Sequence, residues 1–597
     1  MSHDARSDDG APTRARYDRR AFLRRGARAG GVLLGGAAGL DALSGRASAV
    51  GSTPGGATAP TGTPPNILVI LVDQMRYPRW FGGDGQVLNF PPNLARLRHG
   101  AISFARHQTA SNDCTPSRSA LLTGLHTHQT GCMITGVSTL APTFDTWGSY
   151  LRELGYSTYW YGKWHLTRGD RRWNEIDGPP ALARYGFDGG TYPSPNGAPV
   201  QGLHVDPMIA GQFVDWYAQA AGDGPWCTTV SFVNPHDIAW WYRWSDINRV
   251  ETSAPSLIHQ MPENFETPEH LRTKPLLQRS LQNTTDLTFG DVPYSGPELL
   301  PSWMPFLDLY VKLQLMVDRQ IGVVLDALAS RPDVAANTVV LFTADHGEYG
   351  GSHGLRGKGA GLYAEGINVP LIVNDYRRTA TAYPAVVRPQ LTSSVDILPL
   401  LLTLASGSDE WREDPHYSHL AARLDLAAIL RNPTAPGRYY ALHATDEVVT
   451  EFALEPYSTI APIHVVGLIT DRAKYGIYSH WRRGTVDLVP AGQENELYDY
   501  STRAGQLEVD NRAGASPLED GLRATLESAI RDELRAPLQP RLLAAQRAGF
   551  KDYFKSEQRA TAVSLAKRRE ELEQIAQSEL GDALIQPRHP RPAKKSS

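Results

Sequence analysis

The most chemically loaded stretch of the chain is Cys114, Thr115, Pro116, Ser117 and Arg118, running on through Leu121, Thr123 and Gly124. Proline two residues after the cysteine suits the first turn of a helix. That places Cys114 just ahead of a helix N-terminus, where unpaired N–H groups and the macrodipole favour an anion. The residues alone leave two readings open: a small buried residue before a helix, or a low-pKa thiolate nucleophile of the phosphatase kind. A second chemistry is written into Asp73 and Asp345, each at the end of an apolar run. Hard carboxylate oxygens at strand ends suit a divalent cation, which would neutralise a bound anionic ester and polarise an attacking hydroxyl.

These segments together resemble the sulfatase family, whose signature Cys-x-Pro-Ser-Arg-x-x-Leu-x-Thr-Gly is matched at every fixed position from Cys114 to Gly124. The resemblance implies that Cys114 is oxidised by a formylglycine-generating enzyme to 3-oxoalanine (formylglycine). One hydroxyl of the hydrated aldehyde would attack sulfur and the other would expel sulfate, where serine would be left as a stable ester. It further implies that Arg118 belongs to the catalytic set. Lys163, in Gly162-Lys163-Trp164-His165, would contact sulfate and the hydrate, and His165 would take the proton when the hydrate collapses. His236, in Asn234-Pro235-His236, and Lys358, in Gly357-Lys358-Gly359, would complete the sulfate pocket. The metal set would be Asp73, Gln74, Cys114, Asp345 and His346. Many sulfatases carry Asp-Asp and Asp-Asn at the two pairs, a set suited to Ca2+. Here Asp73-Gln74 and Asp345-His346 lower the ligand charge and add a nitrogen donor, moving preference toward Mn2+ while keeping Ca2+ as the first expectation. The same pairs resemble the choline sulfatase and phosphonate monoester hydrolase branch of the alkaline phosphatase superfamily. His346 has an alternative place behind the ligands or beside the leaving group, and His353 is either a site residue or a loop histidine.

The function implied is hydrolysis of sulfate monoesters, on a small-molecule or saccharide substrate. The alternatives are a phosphonate monoester or phosphate diester hydrolase with the same nucleophile, and a binding protein that keeps the fold without the chemistry.

The elements that must position these residues follow a repeated pattern. Ile67–Val72, Trp226–Val233, Thr338–Thr343 and Ser157–Tyr161 are apolar runs that end in polar clusters, the pattern of parallel strands buried on both faces. Helical periodicity separates them: Phe144, Trp147, Leu151 and Leu154 before Gly155, and Leu309, Leu313, Met316, Ile321 and Leu325 within about Phe306–Ala329. Alternating strands and helices predict an α/β fold, which the resemblance makes alkaline-phosphatase-like: a doubly wound, mostly parallel sheet that binds ligands at its carboxyl edge. A smaller C-terminal α+β domain with an antiparallel sheet follows, from shorter segments at His464–Ile469, Lys474–Tyr478 and Glu496–Tyr500. The boundaries are 66–405 for the catalytic domain, with an irregular insertion at 237–305, then 406–545 for the smaller domain and 546–597 for a helical, partly disordered tail. The insertion opens on Trp240, Trp241, Tyr242 and Trp244, either packing under a loop or lining a pocket for an aryl ring or a quaternary ammonium.

Asp18, Arg19, Arg20, Ala21, Phe22, Leu23 and Arg24 match the twin-arginine export pattern. Val32–Leu43 and Ala47-Ser48-Ala49 supply the apolar region and cleavage site, so residues 1–49 are a signal peptide and 50–65 a flexible linker. Export by the twin-arginine machinery carries folded protein to the periplasm or beyond, after cytoplasmic modification and metal loading. The whole chain has a formal charge of −4, and removing nine Arg and five Asp of the signal leaves −8. With no basic tract in the globular region and no later apolar segment of spanning length, neither a nucleic-acid partner nor stable membrane insertion is expected. Three cysteines are too few for a disulfide framework; whether Cys132 and Cys227 pair is open.

Overall fold

A run of branched apolar residues must face protein on both sides, and the four runs named above are adjacent strands. In the computed structural model the described residues are 63–78, 90–167, 180–241, 258–378, 385–450, 453–482 and 487–562. The export signal, most of the linker, Tyr242, Trp244 and the tail beyond 562 lie outside them. The large sheet comprises β1 (Asn66–Asp73), β2 (Ile102–Gln108), β3 (Ser157–Gly162), β4 (Asp188–Gly189), β5 (Trp226–Pro235), β6 (Thr338–Ala344), β7 (Asn368–Asp375) and β8 (Val386–Ser393). Its order is β4-β3-β5-β1-β6-β7-β2-β8. Only β7 runs against its neighbours, β6 and β2; every other pair is parallel.

Side chains alternate across β1. Ile67, Val69 and Leu71 enter one core with the helices Trp147–Glu153 and Ile397–Ser406. Leu68, Ile70 and Val72 enter the other with Gln201–Ala220 and Leu299–Ala329. Each fully buried side chain of this size contributes about 2 kcal/mol, so one charge on β1 would disrupt a whole layer.

Two boundaries differ from the sequence reading. The stretch 237–305 is not irregular throughout: it holds the helix Leu276–Phe289 and the first turns of Leu299–Ala329. Pro305 therefore lies inside a helix, because Trp303, Phe306 and Leu307 on either side of it are buried with Ile238 and Trp241 in one cluster. Tertiary packing overrides propensity there. Residues Trp411, Tyr417, Leu420, Leu426 and Ile429 pack into the large-sheet core, so the first part of 406–545 is not a separate layer.

The smaller sheet is antiparallel, β9 (Ala441–Thr445), β10 (His464–Ile469), β11 (Ala473–Trp481) and β12 (Leu488–Asp499), in the order β12-β11-β10-β9. One face packs on the helix Glu519–Ala529 through Val466, Leu468, Ile477 and Leu526. The other packs on the loop that carries Lys358, through Val465, Tyr478, Tyr498, Leu355 and Leu362. Gly467 and Gly476 are register partners, and a Cβ on either would come within 2.3 or 2.1 Å of Leu362 Cδ1. Lys474 Nζ donates to the Leu362 carbonyl at 2.5 Å, and Glu508, paired with Lys474, accepts from the Ala364 N–H at 2.8 Å.

Candidate active site

Four neighbouring parallel strands deliver the polar residues to one edge. Lys163 follows β3, His236 follows β5, Asp73 ends β1, and Asp345 and His346 follow β6, the carboxyl-edge placement expected of an open α/β sheet. Cys114 arrives from the other side of the sheet as the first residue of the helix Cys114–Thr123, after β2. All of Asp73, Cys114, Lys163, Asp345 and His346 are buried.

The Cys114 Sγ lies 3.6 and 3.7 Å from the Asp73 carboxylate oxygens and 3.2 Å from His346 Nε2. Lys358 Nζ donates to it at 2.8 Å, and Lys163 Nζ stands 3.7 Å away. Lys163 also pairs with Asp73 Oδ2 at 2.7 Å. Arg118, one turn along the helix, sits beneath both acids: Nε donates to Asp345 Oδ2 at 2.8 Å and Nη2 to Asp73 Oδ2 at 3.1 Å, while Nη1 reaches the Lys163 carbonyl at 2.7 Å. Burial alone would raise Asp73, but the charges of Lys163, His236, Lys358 and Arg118 hold it well below the usual carboxylate range.

A cation fits the acceptors. Asp73, Cys114, Asp345 and His346 offer ligand atoms within 4.8 Å of one another. His346 donates from Nδ1 to the Gly347 carbonyl at 3.0 Å, and burial pushes the ring down to about 4, so the Nε2 lone pair faces Asp73 Oδ1 at 3.6 Å and Asp345 Oδ1 at 3.7 Å. Acceptors turned on one another are repulsive unless a positive charge lies among them. Gln74 stands beside this group: its Oε1 accepts from Lys358 Nζ at 3.1 Å and its Nε2 donates to Glu348 at 2.5 Å. The turn is costly, with φ +68° at Gln74. Tyr310 pins it, donating to the Gln74 carbonyl at 2.6 Å and accepting from the Arg76 N–H at 3.1 Å.

His236 is held by a reciprocal clasp that sequence reasoning missed. Asp237 accepts from the N–H groups of Gly202 and Leu203 at 3.1 and 3.0 Å, in the first turn of the helix Gln201–Ala220. Asp206 of that helix accepts from Val233 and Asn234 at the end of β5, at 2.7 and 3.0 Å. Burial pushes Asp237 up to about 7. Gly197, at φ +93°, backs the imidazole, where a Cβ would come within 2.5 Å of His236 Cε1. His165 is tied in through its backbone: Thr115 Oγ1 donates to its carbonyl at 2.8 Å.

Other candidates fall elsewhere. His353 is held by Glu266 at 2.5 Å, stacks on Tyr363 with ring centroids 3.5 Å apart, and belongs to a group with Glu365 and Glu508 rather than with Cys114. Trp240 is core, packed on Phe289 and Leu454 and donating Nε1 to the Gly197 carbonyl at 2.7 Å, whereas Trp241 lines the cleft above Lys358. None of the three buried cysteines is in a disulfide, so Cys132 and Cys227 do not pair. Among the described residues no helix is long and apolar enough to cross a membrane.

Residues 65–408 match the family model for sulfatase. The chain is 30% identical to an uncharacterized sulfatase, YidJ, of Escherichia coli (strain K12), covering 57% of this chain and 68% of that one. It is 26% identical to a choline-sulfatase of Rhizobium meliloti (strain 1021), over 58% of this chain and 68% of that one. Its fold is shared with the phosphonate monoester hydrolase of Agrobacterium radiobacter, at TM-score 0.56 and 21% identity, covering 79% of this chain and 95% of that one. The sheet architecture, the Cys114 helix and the matched segment together make this chain a member of the sulfatase family, an enzyme on the alkaline-phosphatase-like fold.

Proposed function

We propose that the enzyme hydrolyses sulfate monoesters with a formylglycine made from Cys114 as nucleophile, assisted by one divalent cation. The observation that carries the reading is the setting of Cys114: a helix N-terminus with Lys358 at 2.8 Å and Lys163 at 3.7 Å on one side, and the Asp73–Asp345–His346 acceptors on the other. Three cations (Arg118, Lys163, Lys358) against two carboxylates favour a bound monoanion before any ion is counted. Asp73, Asp345, His346 and the residue at position 114 would hold the cation, with Gln74 beside them. When bound, it would neutralise ester oxygens and favour ionisation of a hydroxyl at position 114.

The chain's own groups divide the remaining work. Lys163 and Lys358 hold the ester's anionic oxygens, and Arg118 is a positioning residue that holds both carboxylates in place. His165 is assigned the proton released when the hydrate at 114 collapses, and His236, on the floor of the cleft, stands on the side of the leaving oxygen.

The test is peptide mapping of Ser111–Arg118 in protein matured with a formylglycine-generating enzyme, paired with kcat/KM on an aryl sulfate and a phosphonate monoester. Loss of the Cys114 sulfur with a higher value on the sulfate is expected. A retained thiol in fully active enzyme would refute the mechanism. Preference for the phosphonate would favour the second reading, which the Asp73-Gln74 and Asp345-His346 pairs support.

A further inference from the structure

The cleft beside Lys358, whose Nζ reaches Cys114 Sγ, has two characters. Its floor is Gln74, His236 and Lys358, the side on which the ester would react; its wall is aromatic, Trp241, Phe289 and Phe306. Trp241 and Phe306 meet with ring centroids 5.3 Å apart. Arg356, 4% exposed, also lines it.

Two anchors fix its guanidinium. Nη2 donates to Asp286 at 2.6 Å and to the Gly290 carbonyl at 2.7 Å, and Asp286 is itself held by the Tyr294 hydroxyl at 2.9 Å. The backbone is fixed as well, since the Gly357 N–H donates to Glu348 Oε1 at 2.7 Å. The guanidinium carbon stands 5.7 Å from the Trp241 ring centroid. Yet Nη1 is buried and has no acceptor among the described residues. A planar fork held by two anchors, with one donor unspent on a residue that lines the cleft, is set to receive an oxygen from outside the chain.

We propose that the cleft holds the leaving group of the sulfate ester, and that this group is a ring-bearing alcohol with an acceptor oxygen, a carboxylate above all, received by Arg356. The proposal rests on the sulfatase reading above. The aromatic wall takes the ring face, and Arg356 makes a charge-assisted hydrogen bond to its acceptor oxygen. A quaternary ammonium leaving group does not suit this cleft. Arg356 already stands near the Trp241 ring that such a cation would seek, and no carboxylate is among the described residues that line the cleft.

The full-length matured enzyme would be assayed on phenyl sulfate, 4-carboxyphenyl sulfate and choline sulfate, alongside Arg356→Lys and Arg356→Gln. Because differences in leaving-group acidity are common to all three enzymes, the informative quantity is the carboxyphenyl-to-phenyl ratio of kcat/KM. It is expected to fall about ten- to a hundredfold in both variants. Inhibition of the wild type by 4-hydroxybenzoate and by phenol needs no variant and guards against a folding defect, with the benzoate expected to bind more than about tenfold tighter. A ratio unchanged by either variant, equal inhibition by the two phenols, or choline sulfate as the best substrate overturns the proposal. Failure to cleave any sulfate ester, with phosphonate esters cleaved instead, would sink the sulfatase reading; the two-phenol comparison would still judge Arg356.

Discussion

Arg118→Met isolates what the buried guanidinium does. Methionine replaces much of the aliphatic stem, so the main loss is the cation and its hydrogen bonds to Asp345 at 2.8 Å, Asp73 at 3.1 Å, the Lys163 carbonyl at 2.7 Å and Ser231 Oγ at 3.1 Å. Removing one partner from a buried ion pair costs about 3–5 kcal/mol. Asp73 keeps Lys163 at 2.7 Å, and Asp345 keeps the N–H groups of Gln74 and His346 at 3.2 and 2.9 Å, which places the expectation at the lower end, about 3–4 kcal/mol. With an unfolding entropy of about 2 cal/mol/K per residue over roughly 500 residues, this lowers Tm by about 3–4 °C. The assay is thermal unfolding of wild type and variant in a chelator and again with saturating divalent ion. An ion between Asp73 and Asp345 neutralises the same charges, so the deficit should shrink to less than about half. If the variant unfolds within about 1 °C of wild type in the chelator, Arg118 is not what holds these carboxylates.

Lys358→Met removes a cation 2.8 Å from Cys114 Sγ, and kcat/KM on an aryl sulfate should fall about ten- to a hundredfold; an unchanged value would remove Lys358 from the anion pocket. His346→Asn replaces the nitrogen donor by an oxygen, so elemental analysis of protein loaded from equal Ca2+ and Mn2+ should show a raised calcium share, and an unaltered share would mean that His346 is not a ligand. Acid stability should depend on His107 and His443, whose rings bond to Thr392 Oγ1 at 2.9 Å and the Thr109 carbonyl at 2.8 Å and which burial pushes down from 6.5 to about 4. The unfolded chain protonates these rings first, so their stability is complete above pH 6.5 and drains away as pH falls toward 4, by up to roughly 3 kcal/mol each. His107→Gln should flatten the fall in urea midpoint between those two values, and an equally steep fall in the variant would contradict this.

The strands that a reader of the sequence finds are the apolar ones, β1, β5 and β6 buried throughout and β3 over most of its length; each leads into candidate site residues, and so the acids, Lys163 and His236 were legible together. β8 was not, because as an edge strand it alternates exposed and half-buried residues around Pro389. β2 was hidden by Arg106 and His107 within it. The candidate metal acceptors Asp73, Asp345 and His346 could be named because each lies at a strand end, whereas Arg356 and Asp237 owe their places to contacts between distant segments that no local pattern encodes. Asp237 carried one available signal, an acid directly after His236, but its partners at Gly202 and Leu203 exist only once β5 and the helix Gln201–Ala220 are packed.

The hollow formed by Gly467 and Gly476, with Leu362 seated in it and Lys474 grasping its carbonyl, has a consequence for inheritance. Leu362 is four positions from Lys358, so the late part of the chain acts as a jig for a lysine encoded in the early part. Recombination between relatives with a crossover after residue 408, where the matched segment stops, would part the jig from the workpiece. A methyl group acquired at either glycine would have to be answered by a smaller residue at 362, which ties the history of position 362 to that of two positions more than 100 residues further along.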